Sequence, residues 1–192
     1  SFFYYDYRDP QTFVRFIDPV TTLSVQKVGN VDSARVFGAD IDLILRPVTG
    51  LTVSGGLGLL DTHLSSFATA AGTIPAGNRL PNAPSTSFSA KARYDFGVTG
   101  RLRGSVQGDA RYASAAFKDA SNDPLIASKS YWLLNARVSL ADEKSGWEIA
   151  LWGRNLTKER YVVQGVDLAT LGIVNRIYNA PRTYGVEVSF RY

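Results

Sequence analysis

The 192-residue chain has no cysteine, no methionine and a single histidine. Without cysteine there is no disulfide framework, thiolate zinc site or cysteine nucleophile. With His63 alone, histidine metal clusters are excluded, and a Ser–His–Asp site has no serine motif beside it. The absence of methionine makes Ser1 an expected processed or cut start, with any signal peptide outside the chain. No stretch reaches 18 consecutive apolar residues, which excludes a transmembrane helix but not a membrane β-barrel. Excess charge is small as well: 21 Lys+Arg against 17 Asp+Glu leave +4, dispersed along the chain. That pattern leaves no footprint for nucleic acid. Gly55, Gly56 and Gly58 open no helix, so they build no phosphate loop and suit bending in a strand. No linker, low-complexity tract or heptad divides the chain, which reads as one domain over 1–192. Neither an enzyme nor a cofactor is indicated.

What the chain does have is glycine (17), tyrosine (10), phenylalanine (10) and a two-residue period. Near its end, Tyr184, Val186, Val188, Phe190 and Tyr192 alternate with Thr183, Gly185, Glu187, Ser189 and Arg191. Alternation of this kind predicts a strand whose two faces meet different surroundings. The segments 87–96, 101–112, 131–140 and 147–154 alternate in the same way. Across these five strands the apolar face has 25 positions and no charge, while the opposite 25 positions carry 12 charges. Less regular strands are expected over about 2–17 (kinked near Pro10), 31–46 and 51–63, making eight. Short turns at 47–50, 97–100 and 141–146 alternate with long loops at about 18–30, 64–84, 113–130 and 155–182. The expected architecture is therefore all-β: an antiparallel up-and-down meander with one trimmed rim and one elaborated rim.

The placement of the rings distinguishes a membrane wall from a soluble barrel. Phe88, Tyr94, Phe96, Tyr112, Trp132, Trp147, Tyr184, Phe190 and Tyr192 sit near strand ends of the apolar face. Ala90, Ala92, Val106, Ala136, Ile149, Val186 and Val188 occupy the middle. Two aromatic girdles around an aliphatic band match the two interfaces of a bilayer. A soluble core would hold its largest rings at the centre.

Several segments, read in order, resemble the C-terminal β-barrel portion of the TonB-dependent receptors of Gram-negative outer membranes. Leu80-Pro81-Asn82-Ala83-Pro84 precedes a strand ending Tyr94-Asp95-Phe96; YWLLNARVSL from Tyr131 is followed by WEIALWGRNLTKERYV from Trp147. Pro181-Arg182-Thr183-Tyr184-Gly185 and a final aromatic close the chain. Upstream, FFYYDYRDPQ from Phe2 and Val36-Phe37-Gly38-Ala39-Asp40 also fit, with Asp40 where the family usually has Glu. The resemblance implies a transmembrane β-barrel section, the last eight strands of 22, with the plug domain and TonB box lying elsewhere. It implies energy-coupled uptake of a scarce small-molecule ligand, a ferric siderophore being the commonest class, with TonB acting through the plug. It also implies outer-membrane lipid as surroundings, long loops outside the cell and a periplasmic C-terminus.

Candidate site residues follow from the faces. Lys91, Arg93, Arg101, Arg103, Arg111, Arg137 and Arg154 are expected on the lumen face, where positive charge favours anionic cargo. A solvated wall, or salt bridges to a plug, is their plain alternative. His63, Asn78 and Arg79 in one long loop and Tyr161, Asn175, Arg176 and Tyr178 in another are candidates for ligand contact, against ordinary loop polarity. Thr183, Gly185, Val188, Phe190 and Tyr192 resemble the signal read by the barrel-assembly machinery. Asn155-Leu156-Thr157 matches a glycosylation sequon but fits better as a strand-end motif. A second functional reading is a complete eight-stranded barrel with an anchoring role. It requires the strand bearing Phe3, Tyr5 and Tyr7 to pair with 183–192.

Overall fold

A computed structural model describes residues 1–18, 20–21, 24–69, 72–168 and 171–190. Its strands run in chain order as β1 (Phe2–Arg8), β2 (Gln11–Ile17), β3 (Ser24–Asn30), β4 (Ser33–Leu45) and β5 (Leu51–Leu64). Next come β6 (Phe67–Thr69), β7 (Gly72–Ile74), β8 (Thr86–Gly97), β9 (Leu102–Ala113) and β10 (Tyr131–Asp142). The last are β11 (Trp147–Arg154), β12 (Val162–Leu168), β13 (Ile173–Tyr178) and β14 (Thr183–Phe190). Eight of them form one antiparallel sheet in the order β1-β4-β5-β8-β9-β10-β11-β14. The remaining six make three two-stranded hairpins, β2–β3, β6–β7 and β12–β13.

The eight expected wall strands are all present, and the three short turns connect them at one rim. The loops differ from expectation, because three of the four at the other rim carry strands of their own. The segment 2–17 is two strands: Asp9 adopts a φ of 51° before Pro10, and β1 ends there. Pairing nonetheless continues through the kink, as Asp9 N–H donates to Asp32 O and Val31 N–H to Pro10 O. Gln11 then faces Asn30 across β2–β3. The wall hairpin thus extends beyond its sheet as a stalk.

Register aligns side chains across the wall as the alternation predicts. Phe88, Tyr112 and Trp132 lie side by side on β8, β9 and β10. Their rings touch, at 4.9 Å between the Tyr112 and Trp132 centroids and 6.0 Å between Phe88 and Trp132. Toward the turn rim, Tyr94 stacks on Phe96 at 5.6 Å, and Trp147 faces Phe190. Phe88 and Phe96 are eight residues apart, about 26 Å along a strand, on the scale of the apolar band of a membrane barrel. Between them Val106, Val138, Leu151 and Val186 stand exposed. Among the described residues no second layer covers this band, so it is the kind of exposed apolar surface that marks a membrane contact.

The buried core lies elsewhere, under the loops. Val31, Ala34, Leu64, Phe67 and Ala120 pack together with Ile74 and Leu80 against them, which joins three loops at the elaborated rim. At the lateral edges, β1 and β14 end the sheet on opposite sides and do not pair. The strand of Phe3, Tyr5 and Tyr7 therefore does not meet 183–192, and the self-contained eight-stranded barrel is not formed.

Candidate functional site: the polar face and the loop rim

The polar face carries the charges that the alternation assigned to it, and most are held by partners. Arg137 bridges two strands, donating from Nη1 to Glu148 at 2.7 Å and from Nη2 to Glu187 at 3.2 Å. Arg93 grips Asp95 at 2.7 Å, and Arg103 reaches Glu143 at 2.9 Å. Arg101 lies in the turn before β9 rather than in the strand, 3.3 Å from the buried Asp142. Asn135 donates to Asp109 at 2.6 Å, and the Arg154 guanidinium lies 5.1 Å from the Trp152 ring centroid. Among the described residues, Lys91, Arg111 and Arg154 make no ion pair. Arg191 lies outside the described residues.

A depression of about 440 Å³ opens on this face between Asp42 and Arg111. Its floor is low because small residues line it. Gly56 pairs with Ser89 and Gly58 with Ser87. A Cβ on Gly58 would lie 2.6 Å from Ser87 Oγ. Asp40 and Asp42 flank the strip on one side, Lys91 and Arg111 on the other. Among the described residues, no group of three or more carboxylate, histidine or cysteine side chains is placed to hold a metal ion.

At the loop rim, asparagines do the joining. Asn78 Nδ2 donates to Ala120 O at 2.9 Å. Asn122 accepts from Arg79 N–H at 2.8 Å and donates back to Arg79 O at 2.9 Å, an amide standing in for a strand neighbour. Asn155 has a φ of 51° and is buried. Its Oδ1 accepts from Glu159 N–H, and its Nδ2 donates to Glu159 O and Ala180 O. The Asn-Leu-Thr segment is therefore a strand-end joint, as expected. Leu156 folds back over Gly153, where a Cβ would meet Leu Cδ2 at 2.7 Å.

The predicted loop residues divide. Tyr161 stacks face to face on Tyr131, 3.6 Å apart and 5° from parallel. Arg176 Nε donates to Leu125 O at 2.6 Å, which ties β13 to the 113–130 loop. Beside it Ile126, 2% exposed, fits against Gly165 of β12. Burial and contact with the Asp167 carboxyl push the nearby Asp123 carboxyl above its ordinary range. Tyr178 lies under the Arg160 guanidinium at 3.9 Å, and Asn175 faces Val166 across β12–β13. His63 stands apart. It pairs with Asp61 at 3.1 Å on the outward side of β5, away from the polar face.

The C-terminal set runs down β14. Thr183 and Gly185 share the polar face with Arg154 and Trp152, while Val188 and Phe190 face outward beside Ile149 and Trp147. Tyr192 lies outside the described residues. Sequence reasoning missed Lys158, Arg160 and Arg182, which surround a cavity at the loop rim. A signal was available in RNLTKERY and PRTY, where cations and tyrosines cluster beside the joint.

A single-layer wall with an apolar band outside, two ring girdles and a charged inner face is the wall of an outer-membrane β-barrel. The family model for the TonB dependent receptor-like beta-barrel matches residues 1–156, and the chain belongs to that family. Barrels of this family are outer-membrane proteins of Gram-negative bacteria, receptors and transporters rather than enzymes. Among solved structures, the siderophore receptor PiuA from Acinetobacter baumannii is similar over 100% of this chain and 25% of its own. The identity is 20% and the TM-score 0.72. The ferric yersiniabactin uptake receptor FyuA from Yersinia pestis matches at 16% identity and TM-score 0.77, over 97% and 26% of the two chains. The copper transporter OprC matches at 14% identity and TM-score 0.63, over 96% and 27%. The chain thus spans about a quarter of the length of these proteins. At such identities the likeness concerns the fold alone.

Proposed function

We propose that the chain forms the C-terminal wall and outer loops of a transporter that takes up a ferric siderophore by TonB-coupled transport. Capture occurs at the loop rim, which faces outside the cell, and cargo then passes the cationic inner face. The observation that carries this reading is the strip of small residues on that face, flanked by Lys91 and Arg111, neither of them ion-paired among the described residues. Asp42 and Asp109 share the depression, but neither cation is committed to a carboxylate among the described residues, which leaves both cations available to an anionic complex. The siderophore receptors among the structural neighbours support the cargo class, while OprC shows that the same wall also serves a copper transporter. Energy would enter through a plug domain contacted by TonB, and assembly through recognition of Thr183, Gly185, Val188, Phe190 and Tyr192 by the barrel-assembly machinery.

The test is uptake of ⁵⁵Fe-labelled catecholate, hydroxamate and mixed-type siderophores by iron-starved cells carrying the intact receptor. One class should accumulate, and accumulation should stop with a protonophore or without TonB. Lys91→Gln combined with Arg111→Gln should slow that uptake about tenfold, the effect of weakening electrostatic steering and holding of an anion. Uptake independent of TonB, or a double variant as fast as the parent, would overturn the reading.

A further inference from the structure

The joint above β11 and the segment entering β14 enclose a cavity of about 560 Å³. Lys158, Arg160 and Arg182 line it, with Tyr178, Tyr184 and one carboxylate residue, Glu159. Unlike Arg93, Arg103 and Arg137 on the inner face, none of these three cations forms an ion pair among the described residues. The guanidinium planes of the two arginines are spent on rings instead. Arg160 covers Tyr178 at 3.9 Å, and Arg182 lies 5.4 Å from the Tyr184 centroid. Stacking uses the face of a guanidinium and leaves its edge N–H groups to an anion.

The frame beneath is rigid. Glu159 is fixed through its backbone by Asn155 and by Asn179, whose Nδ2 donates to Glu159 O at 3.1 Å. Position supplies the second argument. Tyr184 is 67% exposed and shares the outward face with Val186, Val188 and Phe190. Gly153 lies opposite Tyr184 in the register, and Leu156 covers it on that same face. The lower lip of the cavity therefore continues into the apolar band, while its upper lip is cationic. A ligand that fits both lips has a hydrocarbon part and a phosphate.

We infer that this cavity binds the phosphorylated headgroup of a membrane lipid, a phosphorylated glycolipid such as lipid A, in the leaflet at the loop rim. The acyl chains lie along Leu156, Tyr184 and Val186, and the phosphate takes the edges of Arg160 and Arg182 with Lys158 beside them. The inference depends on the outward face being in the membrane and on nothing about the transported cargo.

The intact receptor carrying this chain, delipidated and placed in phosphatidylethanolamine nanodiscs doped with bisphosphorylated lipid A, tests it. Native mass spectrometry after release reads the lipid retained. The parent should keep lipid A, lose it about tenfold in Lys158→Gln/Arg160→Gln/Arg182→Gln, and keep it in Arg46→Gln/Lys144→Gln at the turn rim. Dephosphorylated lipid A should not be retained by the parent, an arm that needs no variant to fold. Equal retention of the dephosphorylated lipid, or of lipid A by the triple variant, would sink the proposal. Displacement by inorganic phosphate would overturn it too, assigning the cavity to a free anion. A receptor that holds lipid A but imports no siderophore would leave this inference standing and remove the transport reading instead.

Discussion

Single residues decide where the wall stops being a wall. Asp9 and Asn155 occupy equivalent positions, each at the end of a sheet strand, each with a φ of 51° and each followed by a hairpin that rises from the rim. The left-handed conformation turns the chain out of the ladder, and a short polar side chain tolerates it better than others. At Asn155 the side chain adds three hydrogen bonds to Glu159 and Ala180 in a buried setting. These two contributions can be separated. Asn155→Gly keeps the backbone conformation and loses the bonds, a cost of about 1–3 kcal/mol. Asn155→Ala loses both and should cost about 1–2 kcal/mol more. Hydrogen exchange of the Glu159 and Tyr161 amides in the reconstituted receptor should accelerate in that order. Equal rates in the two variants would show that conformation plays no part.

At the scale of elements, legibility followed the environment. The five clean strands were readable because one face meets lipid and the other polar surroundings, so charge segregates by parity. β12 and β13 were read as loop because hairpins above the rim have no lipid face. Their sequences VVQGVDL and IVNRIY group apolar residues in pairs rather than alternating them. The alternation showed which residues share the polar face, yet which of its arginines are engaged was not readable, since that depends on register across three strands. Arg137 meets Glu148 and Glu187 only because β10, β11 and β14 are adjacent. Glycine partners were hidden for the same reason. A Cβ at Gly185 would lie 2.6 Å from Cζ2 of Trp152. Gly185→Val should therefore cost about 1–3 kcal/mol by displacing that ring. In a Trp152→Ala background the same change should cost far less, a coupling that the urea midpoint of the unheated gel band would reveal. Additive costs would mean the ring moves freely.

For the whole molecule, the decisive feature is the pair of open edges. Eight strands give a sheet with β1 at one margin and β14 at the other, and among the described residues the two do not pair. A bilayer tolerates no such margin, because each unpaired backbone group in hydrocarbon costs several kcal/mol. The usual shields of a soluble edge strand are also missing: β14 reads TYGVEVSF, with one charge and no proline, and its outward residues Val186, Val188 and Phe190 are exposed. The rim does not compensate, since its core of Val31, Leu64 and Phe67 joins loops and leaves the margins bare. Refolded alone into detergent, the 192-residue chain should consequently associate edge to edge. We expect elution that shifts to larger species as concentration rises, and no compact fast-migrating band on an unheated gel. Co-refolding with the strands that would flank β1 and β14 in a full barrel should restore that band. If the chain alone gave a compact, heat-modifiable monomer, β1 and β14 would have to be pairing with each other. The eight-stranded closed barrel would then replace the open wall.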